Sequence, residues 1–175
     1  EHVATALVEK GISCLAVDLR GHGKSEGGPD GYKQFSDEEH QEKVWDVRAA
    51  WKFLSEHGVQ MERTALVGAS IGANLAIRYL AENASFAIAV ALSPGRNYRG
   101  VTTDDAIVRL TPGQMVLLVA SEEDTVSAEA VALLHEKNPL QTEVVLKQDI
   151  GHGTDMLAQD RALQDSVIDW VAERI

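Results

Sequence analysis

The stretch TALVGASIGANLAIRYL, residues 64–80, limits the possible folds more than any other part of this chain. Residues 64–67 form a short apolar run, brief enough for a buried strand. From Ile71 onward, Leu75, Tyr79 and Leu80 recur at helical spacing with few breakers after Gly72. Ser70 therefore falls where a strand turns directly into a helix, with Gly68 and Gly72 two residues to either side. A turn this sharp strains its central residue and leaves little room for side chains two positions away, and it lifts the central hydroxyl above the sheet. The helix start also aims free backbone N–H groups at any charge that develops beside the serine. Two glycines and a serine at this spacing arise by chance in roughly one chain in twenty of this length, so context has to carry the reading.

The chain supplies its own control. GKSEG, residues 23–27, repeats the spacing around Ser25, but Gly28, Pro29, Asp30 and Gly31 follow, which is turn chemistry and not a helix start. Ser25 reads as a loop serine. The embedded GKS is not a phosphate-binding loop either, because position 18 is Asp where that motif needs glycine and no helix follows.

With 175 residues the chain is expected to form one domain with a sizeable core. Its net charge of −11 argues against nucleic acid or an anionic membrane surface as partner. No apolar stretch is long enough for a membrane span. The single cysteine, Cys14, cannot form an internal disulfide, and its place in ISCLAVD predicts a buried, inert thiol. A soluble, cytoplasmic protein is the default expectation. The chain opens at Glu1, which leaves room for an upstream targeting segment, so no compartment is assigned.

Neither repeats nor linkers stand out. Residues 1–10 read as the end of a helix stopped by Gly11, 12–18 as a strand, and 19–35 as a glycine-rich loop. Ser36 with Glu39 forms a capping box opening a helix to Gly58, with Val44, Val47, Trp51 and Leu54 on one face. After the strand, turn and helix at 64–80 come a buried strand at 86–92 and irregular chain over 93–113 with a short helix near 104–110. A strand at 115–120, a helix at 127–137, a strand at 142–147 and a helix at 154–174 complete the chain. Strands alternating with helices predict a three-layer α/β/α sandwich around a mostly parallel sheet.

A serine hydroxyl needs a base to take its proton, and the base needs an orienting acid. In an open parallel sheet such groups sit on loops beyond the strand C-termini. Asp124 lies just past MVLLVAS, beside Glu122 and Glu123. His152 lies in DIGHG, flanked by Gly151 and Gly153, which suits an exposed imidazole; Asp149 is close to it in sequence. His2, His40, His57 and His135 fall on predicted helices or their ends and read as solvated. His22 reads as a loop-shaping residue that borders substrate at most. Arg96 and Arg99 follow a strand end, where exposure is the ordinary reading and contact with an acidic substrate group the sharper one.

In this order LAVDLRGHGKSEG, LVGASIGANLA, LLVASEEDTVSA and GHG resemble an α/β-hydrolase over nearly the whole chain. The resemblance implies Ser70 as nucleophile, Asp124 as acid, His152 as base and the Ile71 N–H as one oxyanion donor, with no cofactor or metal. It also places the RGHG loop, and so His22, beside the site. Only about twenty residues separate the strands ending at Leu92 and starting at Met115, too few for a helical cap, so the likeness is to cap-free esterases and dienelactone-hydrolase-like enzymes. The expected activity is cleavage of a small carboxylic ester or thioester through an acyl-enzyme, with kcat/KM rising through one apparent pKa of roughly 6 to 7. Peptidase or acyltransferase activity, or a hydrolase-like binding protein with negligible turnover, are the rival readings. Acyl chain, leaving group and oligomeric state stay open.

The resemblance carries one more expectation, that the N-terminal strands of the fold are missing here. In the family one strand lies between those expected at 12–18 and 64–67. Without it the two would face each other across a gap of about 10 Å with unpaired edges. The second oxyanion donor also comes from the loop after that strand, and one such donor is worth roughly 100- to 1,000-fold in kcat. The alternative is a minimal sheet in which 12–18 pairs directly with 64–67.

Overall fold

Apolar runs too short for helices and rich in Val, Ile, Leu and Ala become the strands of a four-stranded parallel sheet. In the computed structural model, which describes residues 2–175, these are β1 (Ala65–Ala69), β2 (Ile88–Leu92), β5 (Met115–Ser121) and β6 (Thr142–Lys147), in the order β1-β2-β5-β6. The register runs Val67 to Val90, Val90 to Leu117 and Leu117 to Glu143. Every residue of β2 is buried, as a strand with neighbours on both edges and helices on both faces must be.

The helices fall into two layers. On one face α4 (Ile71–Glu82), α5 (Asp104–Val108) and α6 (Thr125–Lys137) enclose Ile77, Leu80, Ile107, Leu118 and Leu134, with Trp51 of α3 (Val44–Glu56) packed against Phe86. On the other, α1 (His2–Glu9), α7 (Asp155–Gln159) and α8 (Arg161–Ala172) cover Val90, Leu117 and Val119 with Leu7, Leu163, Val167, Ile168 and Val171. The expected three-layer α/β/α arrangement is therefore present. No helix among the described residues is long and apolar enough to cross a membrane.

Several expectations need correction. Residues 12–18 form no strand: they join no ladder, and residues 13–18 are exposed. Direct pairing with β1 does not occur either, so β1 pairs with β2 alone among the described residues. Cys14, expected to be buried, is exposed for the same reason. Partial burial still pushes its thiol pKa up.

The predicted helix over 36–58 is two helices. Ser36 and Glu39 make the expected capping box, worth about 1 kcal/mol. However, α2 (Asp37–Gln41) ends there and α3 starts at Val44. At the break Lys43 is fully buried, with Nζ 3.1 Å from Nδ1 of buried His40 and close to the Tyr32 and Phe35 rings. His40, read as solvated, is thus a core residue; burial first, then the Lys43 charge, pulls its pKa down. The last helix breaks at Asp160, whose carboxylate caps Leu163 N–H and restarts the chain as α8. A small hairpin of β3 (Asn97–Tyr98) and β4 (Val101–Thr102) was not foreseen in the 93–113 segment.

Candidate active site

At the C-terminal end of β1 the chain enters α4 through a single residue, Ser70, with φ 54° and ψ −123°. That conformation costs a non-glycine residue about 1–3 kcal/mol and persists only where surrounding contacts impose it. Here the Ser70 N–H donates to the Leu92 carbonyl at 2.9 Å, and its own carbonyl accepts from Ala73 and Asn74. A Cβ at Gly68 would lie 2.1 Å from the Gly72 carbonyl oxygen, so position 68 must be glycine. Position 72 differs, since a Cβ there meets nothing within 4 Å; the two glycines of the motif are not equally required. The Ile71 N–H makes no backbone hydrogen bond among the described residues and stands free at the helix start.

Beyond β5, Asp124 caps α6 by accepting from Ser127 N–H, and its Oδ2 lies 2.6 Å from His152 Nδ1. Asp124 is shielded, its side chain 16% accessible, whereas the His152 ring is 44% accessible. Burial pushes the Asp124 carboxyl upward, but hydrogen bonds from Ser127 and His152 outweigh it and hold the pKa below its ordinary value. Of Glu122, Glu123, Asp124 and Asp149, Asp124 is the one that meets the ring.

The remaining acids have other tasks. Glu122 pairs with Gln148 at 3.1 Å. Glu123 accepts from the N–H groups of Asp149 at 2.9 Å and Gly151 at 2.7 Å, and from the Ser121 hydroxyl. The Ser121 and Gly151 bonds, foremost, push its pKa down to about 2. Ser121 Oγ in turn accepts from Ile150 N–H at 3.1 Å, and Ser93 Oγ from Gly153 N–H at 2.8 Å.

Loop contacts bring His152 and Ser70 to the same end of the sheet. Leu92 holds Ser70 while the adjoining Ser93 holds Gly153, and a Cβ on Gly153 would lie 3.5 Å from that of Ala69. The Ser70 hydroxyl makes no hydrogen bond among the described residues, to His152 or to any other group. Backbone strain marks the same neighbourhood. Of the four non-glycine residues with positive φ among those described, Ser70, Ser93 and Asp149 lie here, and only Arg99 lies elsewhere. Sequence reasoning passed over Ser93 and Ser121, and weighed Glu123 only as a rival acid. The available signal was their place at the ends of β2 and β5.

The other candidates are occupied structurally. His22 stacks on Tyr32, with centroids 4.5 Å apart and planes 11° apart, and its Nδ1 lies 3.2 Å from the Arg20 carbonyl. Arg20 anchors this loop to Asp46 and Glu42. Arg96 pairs with Asp104 at 2.6 Å and Arg99 with Asp37 at 3.6 Å. Ser25 donates to the Asp18 carbonyl at 2.5 Å within a run of turns.

Residues 1–107, more than half of the chain, match the family model described as serine aminopeptidase, S33. Among solved structures, the esterase Pf2001 of Pyrococcus furiosus is similar over 99% of this chain and 76% of its own, with 19% identity and a TM-score of 0.75. The acylaminoacyl peptidase of Pyrococcus horikoshii matches 85% of this chain and 31% of its own, at 14% identity and a TM-score of 0.66. SOBER1 of Arabidopsis thaliana matches 93% and 72%, at 15% identity and a TM-score of 0.59. At these identities the likeness shows the fold. No curated protein matches in sequence.

Proposed function

Because the chain belongs to the serine aminopeptidase S33 family of α/β-hydrolases, we propose that it is a serine hydrolase that cleaves a carboxylic ester or thioester through an acyl-enzyme. The observation that most supports this reading is the 2.6 Å contact between Asp124 and His152 on the loops that border the strained Ser70 turn. Asp124 holds Nδ1 protonated, which leaves Nε2 as the basic nitrogen. Nε2 takes the Ser70 proton as Oγ bonds to the acyl carbon, and the carbonyl oxygen becomes an oxyanion that the Ile71 N–H stabilises. The intermediate collapses as the protonated imidazole returns its proton to the departing alkoxide or thiolate. Water, deprotonated by the same nitrogen, then releases the carboxylic acid and restores Ser70. Ser70 Oγ and Nε2 share no hydrogen bond in this structure, and catalytic contacts of this kind commonly form or tighten when substrate binds.

The test compares two serines with the same flanking spacing. Ser70→Ala is expected to abolish hydrolysis of a p-nitrophenyl acyl ester and labelling by a fluorophosphonate, while Ser25→Ala leaves both near wild type. Asp124→Asn should lower kcat by on the order of 10³- to 10⁴-fold with the fold intact. Labelling that survives Ser70→Ala overturns the assignment. The family's description favours a second reading as a peptidase; turnover of an aminoacyl amide in preference to the ester would establish it.

A further inference from the structure

The turn that carries His152 is gripped from outside by a carboxylate that does not touch the ring. Within residues 149–153, four backbone N–H groups are held by side chains: Asp149 and Gly151 by Glu123, Ile150 by Ser121, and Gly153 by Ser93. Asp149 and Gly151 both have positive φ, 54° and 83°, and their N–H groups meet the two oxygens of the one Glu123 carboxylate, one each.

The strand register explains how it arrives. Ser121 and Lys147 are the paired last residues of β5 and β6, and Glu122 N–H extends the ladder to the Lys147 carbonyl at 2.8 Å. The two loops thus leave the sheet side by side. Glu123 and Asp124 are consecutive, so one short segment holds both the backbone under His152 and the acid against its ring.

We propose that Glu123, braced by Ser121, is a positioning residue that sets the His152 imidazole against Asp124 and toward Ser70. The proposal rests on the assignment of His152 as the base. Without the clamp, the amides of Asp149 and Gly151 turn to water and the glycine-flanked ring samples other orientations. Misplacement of a reacting group by about 1 Å costs on the order of 100-fold, so a partial release should cost about 10- to 100-fold in kcat. Both Glu123 oxygens are taken up by Ser121 and the turn at 149–151, so KM should stay within about twofold.

The test measures kcat and KM on a p-nitrophenyl ester for Glu123→Ala, Glu123→Gln and the control Glu122→Ala, all in the 175-residue chain. It adds the His152 ring signals in a 1H–13C NMR spectrum, identified by their loss in His152→Gln. Glu123→Gln keeps one acceptor oxygen but sets an amide donor against a backbone donor, so it should lie between wild type and Glu123→Ala. The expected result is the kcat order wild type, Glu122→Ala, Glu123→Gln, Glu123→Ala, with His152 signals shifted and broadened only in the two Glu123 variants. A kcat within about twofold of Glu122→Ala, or unchanged His152 signals, overturns the proposal. If Glu123→Ala does not fold, Glu123→Gln decides on the same two readouts. Should Ser70→Ala remain active, the assignment of Ser70 as nucleophile fails, yet the NMR arm still reports whether Glu123 orients the ring.

Discussion

Two seven-residue runs of mostly apolar residues, ISCLAVD at 12–18 and FAIAVAL at 86–92, meet opposite fates. The second supplies β2, hydrogen-bonded to β1 and β5 and buried at every position. The first has no ladder partner, and its Leu15 and Val17 are 40% and 44% accessible. Between these extremes lie the edge strands: β1 is half-buried with Val67 at 45%, and β6 is half-buried with Leu146 at 44%. Burial thus follows the number of strand neighbours more closely than it follows composition. Strand preference is largely a measure of packing against neighbours, and a run with none cannot express it.

The largest effect should come from placing one charge in each run. Ala91→Asp sits in β2 with no accessible surface, so it should destabilise by about 4 kcal/mol or more, or prevent folding outright. Val17→Asp should stay within about 0.5 kcal/mol of wild type. Urea denaturation checks both, and equal effects would erase the distinction between the runs.

A smaller effect is expected where β1 meets its helix. Gly68→Ala drives a methyl into the Gly72 carbonyl, at about 1–3 kcal/mol, with a fall in ester hydrolysis as the Ser70 turn shifts. Gly72→Ala enters open space and should leave stability unchanged or slightly raised. Thermal melts of the two variants give the comparison, and a more damaging Gly72→Ala would contradict this geometry.

The smallest test perturbs nothing. Cys14, in the open run, should react fully with a thiol-specific disulfide reagent in the folded chain without denaturant. Because burial raises its pKa, less thiolate is present near neutrality, so the rate should trail that of free cysteine there and recover as pH rises. Reaction only after unfolding would mean that residues 12–18 are covered.

Much of this was legible beforehand, for identifiable reasons. The strand, turn and helix around Ser70 are written in local steric terms, as is the Ser36–Glu39 cap, and both stand within a residue or two of where the sequence puts them. The positions of Asp124 and His152 after strand ends were legible too, because strands in an open parallel sheet deliver their loops to one edge. The breaks at Lys43 and Asp160 were not. Lys43 lies inside the helix expected over 36–58 but is enclosed by Tyr32, Phe35 and His40, and Asp160 lies inside the helix expected over 154–174 but caps Leu163.

What the amino-acid order determined by itself is therefore whatever depends on neighbours within about four residues: periodicity, caps, the glycine at 68 and the turn at 70. The exposure of Cys14 was decided only by the tertiary structure, as was the clamping of Glu123 on the turn at 149–151. Each of these depends on distant segments meeting across parallel strands, and no local pattern records the lateral register in which they meet.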